Sequence, residues 1–415
     1  MLGSKRRIDA LELVFYAVTL VGFTALWYSP AVVSLASVTC VLLSVYQWKS
    51  FKRSSFRHVG ISLSGIVVLV LLDMIFSGFE SQTSAKFLLI VGFVGVFGAS
   101  YYYYGKLDCT LILKYLLVIA GILALVNSIS IFNYFLNKDH FDALLLQSKH
   151  IPVGIHHIHF GVLNGMIVIL LLGSFFVANT FNKSLKVITI LFLLIIFISF
   201  HILSSRTGLL AFYGASVTML VVYAMQKRQF KVVLLGLLTM GISLAASYSL
   251  SSSFQNKVAN SLEDMSSWGK GEEINFKSMG MRIEAARMCV YIIGQNPLGV
   301  GAAYQDSVMA ATYDKLNSVL LEENRVGPHN QFLEYGVRYG WVGIILLIYF
   351  FFGLFLWAGH SSFSMWGIVV FIFIAVLFES LLERQVSLYF MALLIPLSYH
   401  FFAKWQVNEV GEDIN

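Results

Sequence analysis

Residues 186–231 read KVITILFLLIIFISFHILSSRTGLLAFYGASVTMLVVYAMQKRQFK. Two apolar runs, at 186–203 and 208–225, flank the polar turn SSRTG, and a basic cluster follows the second run. Each run is close to the roughly 20 residues that a helix needs to cross a hydrocarbon layer. The pattern predicts two membrane-spanning helices joined by a tight turn, with the basic cluster on the cytoplasmic side.

The rest of the chain repeats this pattern. Of its 415 residues, 58% are hydrophobic and 12% are charged, against roughly 25% charged in a soluble domain. This composition excludes an ordinary globular fold. We therefore predict an all-α, polytopic integral membrane protein with about twelve transmembrane helices. They lie near residues 10–29, 31–48, 59–77, 86–104, 111–134, 158–179, 186–203, 208–225, 232–250, 336–358, 365–382 and 386–403.

Lysine and arginine in the short connections predict the orientation, because such residues stay cytoplasmic. They are Lys5, Arg6, Arg7, Lys49, Lys52, Arg53, Arg57, Lys106, Lys183, Lys186, Lys227, Arg228, Lys231 and Lys404. Both termini are therefore expected in the cytoplasm. The net charge of +6 is divided among these clusters, so no nucleic-acid partner is expected.

The alternation of successive connections between the cytoplasmic and periplasmic sides divides the chain into three parts. Residues 1–250 are predicted to hold nine spans, residues 251–335 one large periplasmic loop carrying part of the active site, and residues 336–415 three spans and a short cytoplasmic tail. Within the loop, residues 281–294 predict an amphipathic helix whose apolar side contains Ile283, Ala286, Val290 and Ile293. Residues 137–157, 204–208 and 379–385 are expected on the same outer side as the loop.

Two outer arginines are candidates for binding an anion. Arg206 lies in SSRTG, where one interpretation is a side chain that reaches the lipid head groups, and the other is phosphate recognition by a permanently charged guanidinium. Arg282 follows the break SMGM, and a helix start there would add free N–H groups to its attraction for an anion. For Arg287 we expect a solvated or salt-bridged position, with Glu284 as one possible partner.

His329 occurs in GPHNQFLEYGVRYGWVG, just before the chain re-enters the membrane. A lone histidine is more often structural than catalytic, but an imidazole facing two outer arginines is also suited to act as a general base for a sugar hydroxyl. Glu334 and Arg338 follow it. These two side chains either orient the helix or contact substrate.

Two further groups of polar residues accompany these candidates. His150, His156, His157 and His159 cluster in HIPVGIHHIHFG. His156 and His159 could share a helix face and hold a metal, but with no Asp, Glu or Cys nearby in sequence, substrate hydrogen bonding or helix capping is favoured, and no metal or other cofactor is expected. In ESLLERQ, Glu379 and Glu383 predict either an ion-pair network with Arg384 or a carboxylate that orients His329 or an arginine.

Four segments in this order resemble the O-antigen ligase and polymerase superfamily of bacterial envelope glycan assembly. They are SSRTGLLAF, GMRIEAARMCVYIIGQNPLGVGAAY, HNQFLEYGVRYGWVGIILL and ESLLERQVSLYF. The similarity covers roughly the C-terminal half of the chain. The N-terminal half is similar only in hydropathy, with HHIHFG as one possible additional element.

The resemblance implies a metal-independent, inverting glycosyltransferase of the bacterial inner membrane. Its donor would be a glycan on undecaprenyl diphosphate, taken at the periplasmic face. The family's functional arginines and histidine fall on Arg206, Arg282 and His329. The arginines would bind the diphosphate, and His329 would accept the proton of the attacking hydroxyl.

The acceptor is left open by the resemblance. A ligase transfers the glycan to a lipid A core sugar, which we favour, a polymerase to another lipid-linked repeat unit, and related members to protein. A transporter of the same lipid is the competing class, but the spans carry almost no charge at mid-depth apart from Asp73. We also expect contacts with membrane lipids. Further substrate contacts are expected from Asn330, His156, His159, Glu379, Glu383 and Arg338.

Overall fold

The computed structural model describes residues 9–47, 49, 53–146, 151–177, 183–203, 205–250, 252–270 and 273–412. Over these residues the chain forms sixteen α-helices, two short 3₁₀ turns and no strand, so the all-α prediction is confirmed. Several residues used above lie outside the described residues, namely Lys5, Arg6, Arg7, Lys52, His150 and Ser204.

The helices follow the predicted apolar runs closely. They are α1 (Ala10–Ala25), α2 (Pro30–Tyr46), α3 (Arg53–Phe76), α4 (Ser81–Tyr104), α5 (Cys109–Leu136), α6 (Lys138–Leu146), α7 (His157–Val177), α8 (Lys183–Leu203), α9 (Arg206–Lys227), α10 (Phe230–Leu250), α11 (Ser252–Lys270), α12 (Ser278–Gln295), α13 (Gln305–Lys315), α14 (Gln331–Gly359), α15 (Phe363–Phe378) and α16 (Gln385–Glu412). The 3₁₀ turns are Glu322–Asn324 and Leu381–Glu383.

Nine helices in the described part of the chain are long and apolar enough to cross a membrane. They are α3, α4, α5, α7, α8, α9, α10, α14 and α16. The other three predicted spans coincide with α1, α2 and α15, which are apolar but have only 16, 17 and 16 residues. A helix of that length rises about 25 Å, less than the roughly 30 Å of a hydrocarbon core. A total of twelve spans therefore stays a prediction.

The centre of the bundle is formed by α7 and α16, whose faces are buried almost all round. Helix α9 packs on α7 and α15. The approach to α7 is close because Gly161 and Gly208 face each other: a Cβ on Gly208 would come within 2.7 Å of the Gly161 carbonyl oxygen. This contact fixes the N-terminal end of α9, where Arg206 lies.

Helices α11, α12 and α13 lie between α10 and α14, in the segment expected to form the large loop. The predicted amphipathic helix is present as α12, but the predicted buried face is wrong. Ile293 is buried as expected, whereas Val290 is 63% exposed. The face turned inward instead contains Ala285, Met288, Cys289, Ile292 and Ile293.

The segment after α12 docks on an interruption of α14. At Gly340 the backbone is non-helical, with φ at 61° and ψ at −151°. Val300 N–H donates to the Val337 carbonyl, and Trp341 N–H donates to the Pro297 carbonyl, at 2.9 and 3.0 Å. Asp73 on α3 accepts the N–H of Ala302 at 3.1 Å, which gives this span carboxylate a structural partner. The N-terminal part of α14 is thereby held against α12 and α3.

Candidate active site

The centre of the candidate site is the Glu379 carboxylate, directly after α15 ends at Phe378. Its side chain is only 10% exposed. Arg282 Nη2 lies 3.3 Å from Oε2, and His329 Nδ1 lies 3.2 Å from Oε1. Two residues that are 47 positions apart in sequence thus meet on one carboxylate, and the predicted role of Glu379 as an orienting group has a structural basis.

The charge state of Glu379 follows from these contacts. Burial alone would raise its pKa, but the hydrogen bond from His329 and the charges of His329, Arg282 and His159 outweigh burial and hold the pKa below its usual value. Glu379 is therefore ionised at neutral pH. An ionised carboxylate only accepts hydrogen bonds, so Nδ1 of His329 donates the hydrogen in this contact.

His329 is held by its backbone as well as by Glu379. Its φ is 45°, in the left-handed region that is uncommon for a residue with a side chain. The next residue, Asn330, is the N-cap of α14: its Oδ1 accepts from Phe332 N–H and Leu333 N–H, and its Nδ2 donates to the Leu377 carbonyl at 2.8 Å. Asn330, expected to contact substrate, thus has its side chain bonded within the fold, where it positions His329.

Arg282 makes a second contact, from Nη1 to the Phe378 carbonyl at 2.9 Å. Its side chain is 24% exposed, and a guanidinium has five N–H donors, so hydrogens remain for a ligand. The expectation that Arg282 stands at a helix start is wrong. Helix α12 begins at Ser278, one turn earlier, and Asp264 already accepts the N–H of Met279 there.

Arg206 is the residue that stands at a helix start. The helix α9 begins at Arg206 itself, with Ser205 as the N-cap. Among the described residues its exposed side chain makes no hydrogen bond or ion pair, and the charges of Arg282 and Asp264 act on it. Arg206 is thus a cation without a partner in the part of the chain that the structure describes, and it lies within the electrostatic influence of Arg282.

The histidines at the start of α7 face the same region. His159 is buried, and its Nδ1 lies 2.6 Å from the hydroxyl of Ser387 on α16. His159 therefore makes a packing contact within the fold. His156 is exposed. Partial burial lowers the pKa of His156, and the charges of Arg384, His329 and Arg282 add to this effect while Glu379 opposes it. Within the described residues no group of three or more His, Cys, Asp or Glu side chains could hold a metal ion.

Arg338 and Glu383, both expected to contact substrate, are paired inside the protein instead. Arg338 is 9% exposed and binds Glu383 at 2.6 Å, Glu334 and the side-chain oxygen of Gln305. Lys86 on α4 also binds Glu383. Burial alone would raise the pKa of Glu383, but Arg338 and Lys86 lower it to about 2.

This Arg338 network supports the segment that carries Glu379. The hydroxyl of Ser380 donates to Glu334 at 3.2 Å, and the N–H of Leu382 donates to Gln331 Oε1 at 2.7 Å. The network therefore holds residues 379–383 against the N-terminal part of α14. Arg287 pairs with Glu284 at 3.1 Å, as expected of a residue outside the site.

Sequence reasoning missed one cation, Lys86, and expected ion-pair partners for a second, Arg384, that the described residues do not show. Lys86 is a lone lysine in the first turn of a span on the predicted outer side, where the positive-inside rule does not favour it, and that signal could have identified it. Arg384 was considered only as a partner for Glu379 and Glu383. In the described part of the chain its exposed side chain makes no ion pair or hydrogen bond, while its charge acts on His156 and His159.

Residues 190–348 match the family model described as O-Antigen ligase (Wzy_C). Over this segment, which is less than half of the chain, the protein is similar to the O-antigen ligase superfamily. The match confirms the resemblance drawn from the sequence motifs, and it contains Arg206, Arg282 and His329. Glu379 lies beyond it. Together with nine candidate spans in the described residues, the match supports a membrane protein that contains an O-antigen ligase-like segment. No curated protein matches the chain.

Proposed function

We propose that this O-antigen ligase family protein is a membrane glycosyltransferase. It transfers a glycan from undecaprenyl diphosphate to a sugar hydroxyl of the lipid A core, at the periplasmic face of the bacterial inner membrane. The observation that carries the proposal is the convergence of Arg282 and His329 on Glu379. Arg206 has no partner among the described residues and lies within the electrostatic influence of Arg282, and it supplies a second cation for a diphosphate.

The proposed reaction is a single inverting displacement. The acceptor hydroxyl attacks C1 of the donor sugar, the bond from C1 to the diphosphate oxygen breaks, and the hydroxyl proton passes to Nε2 of His329. Glu379 stabilises the imidazolium that forms, in the same way that a carboxylate supports a catalytic histidine elsewhere. Arg206 and Arg282 stabilise the charge on the departing diphosphate.

Among the remaining expected contacts, His156 is the residue that we still assign to substrate. It is exposed and lies within the field of Arg282, His329 and Glu379. His159, Asn330, Glu383 and Arg338 are assigned positioning roles instead, because each is bonded within the fold. No step of the proposed reaction requires a metal or another cofactor.

A polymerase that joins lipid-linked repeat units is the second candidate function. It would use the same donor, the same leaving group and the same base, and it would differ only in the acceptor. A transporter of lipid-linked glycan ranks third. The position of Arg206 favours an enzyme over a transporter, because Arg206 begins α9 rather than lying at its middle, where transporter sites are usually found.

The test is transfer of a labelled undecaprenyl diphosphate glycan by the purified full-length protein in liposomes. Lipid A core and lipid-linked repeat units are offered separately. His329→Ala is expected to slow transfer by about 10²–10⁴-fold and Arg282→Ala by about 10²–10³-fold. Product on lipid A core supports the ligase, and chain extension supports the polymerase.

Arg287→Ala is the matched control for Arg282→Ala, since both arginines lie on α12 and Arg287 binds only Glu284 among the described residues. This variant is expected to keep its activity. Full activity of His329→Ala would contradict the assigned base. Glycan that crosses the liposome membrane, with no product on either acceptor, would support the transporter instead.

A further inference from the structure

A small cavity lies beside the N-terminal end of α9. Its lining includes Ser205, the residue directly before Arg206, together with Asn164 of α7. Its volume is about 20 Å³, which gives room for roughly one or two water-sized groups. The reaction proposed above assigns no role to this cavity.

Two polar groups in the cavity wall lack partners. Asn164 is fully buried, and its Nδ2 has no hydrogen-bond partner among the described residues; its Oδ1 is held by Asn127 at 2.7 Å. Ser205 is 6% exposed, and its hydroxyl also has no partner in the described part of the chain. A buried donor without a partner costs roughly 1–3 kcal/mol, so the cavity is built to receive an acceptor.

The rest of the lining restricts the chemistry of that acceptor. Val153, Phe160, Phe200 and Leu203 form an apolar wall. Among the described residues the lining contains no Asp, Glu, Lys or Arg, and its one titratable group is the imidazole of His157. A charged phosphate would therefore lose its hydration without gaining a permanently charged partner there. A water molecule would bond to Asn164 but would gain nothing from the apolar wall. A neutral carbonyl that carries a methyl group satisfies both sides of the cavity.

We propose that this cavity binds the acylamino substituent of the donor sugar, on the carbon next to the one that reacts. The amide carbonyl accepts from Asn164 Nδ2 and from the Ser205 hydroxyl, and the methyl group contacts Val153 and Phe160. The position fits because adjacent residues are about 3.8 Å apart. The residue proposed to bind the diphosphate is thus directly adjacent in the chain to a residue of the cavity wall. The inference rests on the proposed function, in which Arg206 binds the diphosphate.

The experiment compares two lipid diphosphate sugars that differ at one carbon, with an acetamido group in one and a hydroxyl in the other. Binding and transfer are measured separately with the purified full-length protein. The wild type is expected to bind the acetamido donor about 3- to 10-fold more tightly, the value of one or two net hydrogen bonds. Asn164→Ala and Ser205→Ala are expected to reduce that ratio to between one and two.

Two control variants match these substitutions. Asn127→Ala breaks the same bond between the two asparagines but leaves the Asn164 donor facing the cavity. Ser100→Ala removes another fully buried hydroxyl without a partner among the described residues, on α4. Both are expected to keep the wild-type ratio. Val153→Phe, in the segment before α7, fills the cavity and is expected to weaken the acetamido donor more than the hydroxyl donor.

The outcomes separate this inference from the proposed function. Equal binding of the two donors by the wild type, or an unchanged ratio in both Asn164→Ala and Ser205→Ala, would overturn the inference even if transfer proceeds. A binding preference that is lost in these two variants would support it even if neither donor is transferred. In that case the proposed reaction, and not the cavity assignment, would fail.

Discussion

Arg282 and His329, the two central candidates, both depend on their contact with the carboxylate of Glu379. Glu379→Gln keeps the size of the side chain but removes the charge that holds Arg282 and stabilises a protonated His329. We expect transfer to slow by about 10²-fold or more, mainly through kcat, because the carboxylate acts on the transition state. Steady-state kinetics measure the effect.

Glu323→Gln is the control for this substitution, since Glu323 is an exposed carboxylate in the same outer region. It is expected to behave like the wild type. If Glu379→Gln retained the full kcat, the carboxylate would be a packing group only, and the base role of His329 would need another partner.

The lowered pKa of Glu383 predicts that the stability of the folded protein depends on pH. Its pKa is lowered from 4.5 to about 2 by Arg338 and Lys86, although burial opposes this change. The unfolded chain therefore binds a proton more readily than the folded protein does. The stabilisation is fully present above about pH 4.5 and is lost as the pH falls towards 2.

The measurement is the unfolding temperature in detergent from pH 8 to pH 3. The unfolding temperature of the wild type is expected to be constant down to about pH 5 and to fall below about pH 4.5. Glu383→Gln is expected to be less stable at pH 7 and to vary less in the acid range. A wild-type curve that stayed flat to pH 3 would show that the Arg338 network does not stabilise the fold.

Sequence reasoning named Arg206, Arg282 and His329 but could not show which partners each one has. The three lie in segments with recognisable motifs, whereas the pairing of Arg338 with Gln305 joins residues 33 positions apart across two helices. Such a contact depends on how α13 packs against α14. Arg338 and Glu383 were therefore expected at the substrate although the fold pairs them internally.

At the level of helices, the apolar runs predicted most positions because lipid exposure requires continuous stretches of apolar side chains. Their buried faces were harder to predict. In α12 the apolar residue Val290 is exposed while Glu284, bonded to Arg287, is buried. An ion pair within the helix allows a carboxylate to face the interior. The periodicity of apolar residues does not reveal such a pair. The break in α14 has only a glycine as its signal.

The break at Gly340 leads to a prediction about the stability of α14 and the segment that docks on it. Gly340 has φ of 61°, and an added Cβ would lie 2.0 Å from the Pro297 carbonyl oxygen. Gly340→Ala should therefore displace residues 297–301 from α14. We expect a loss of about 1–3 kcal/mol or more in the free energy of unfolding, together with reduced transfer. Denaturant unfolding of the purified protein measures the loss.

Gly359→Ala, at the other end of α14, is the matched control because nothing lies within 4 Å of its added Cβ. It should leave both stability and transfer close to those of the wild type. Equal stability of the two variants would mean that docking at the α14 break is unimportant for the outer region.

At the scale of the whole molecule, the candidate site lies at one end of the bundle. Arg206 begins α9, Glu379 follows α15 and His329 precedes α14. The opposite helix ends carry lysines and arginines, for example Lys227 and Arg228 after α9 and Lys404 near the end of α16. The positive-inside rule therefore predicts that the site faces the periplasm.

Labelling of single cysteines tests this orientation directly. Ala310 on α13 is exposed at the end of the bundle that carries the site, and Gln229, between α9 and α10, is exposed at the basic end. Cys40 and Cys289 are fully buried, so Cys109→Ser gives a suitable background. In spheroplasts, a maleimide that does not cross membranes is expected to label Ala310→Cys, and to label Gln229→Cys only after lysis. The reverse pattern would place Arg282, His329 and Glu379 in the cytoplasm, where a donor presented in the periplasm cannot reach them.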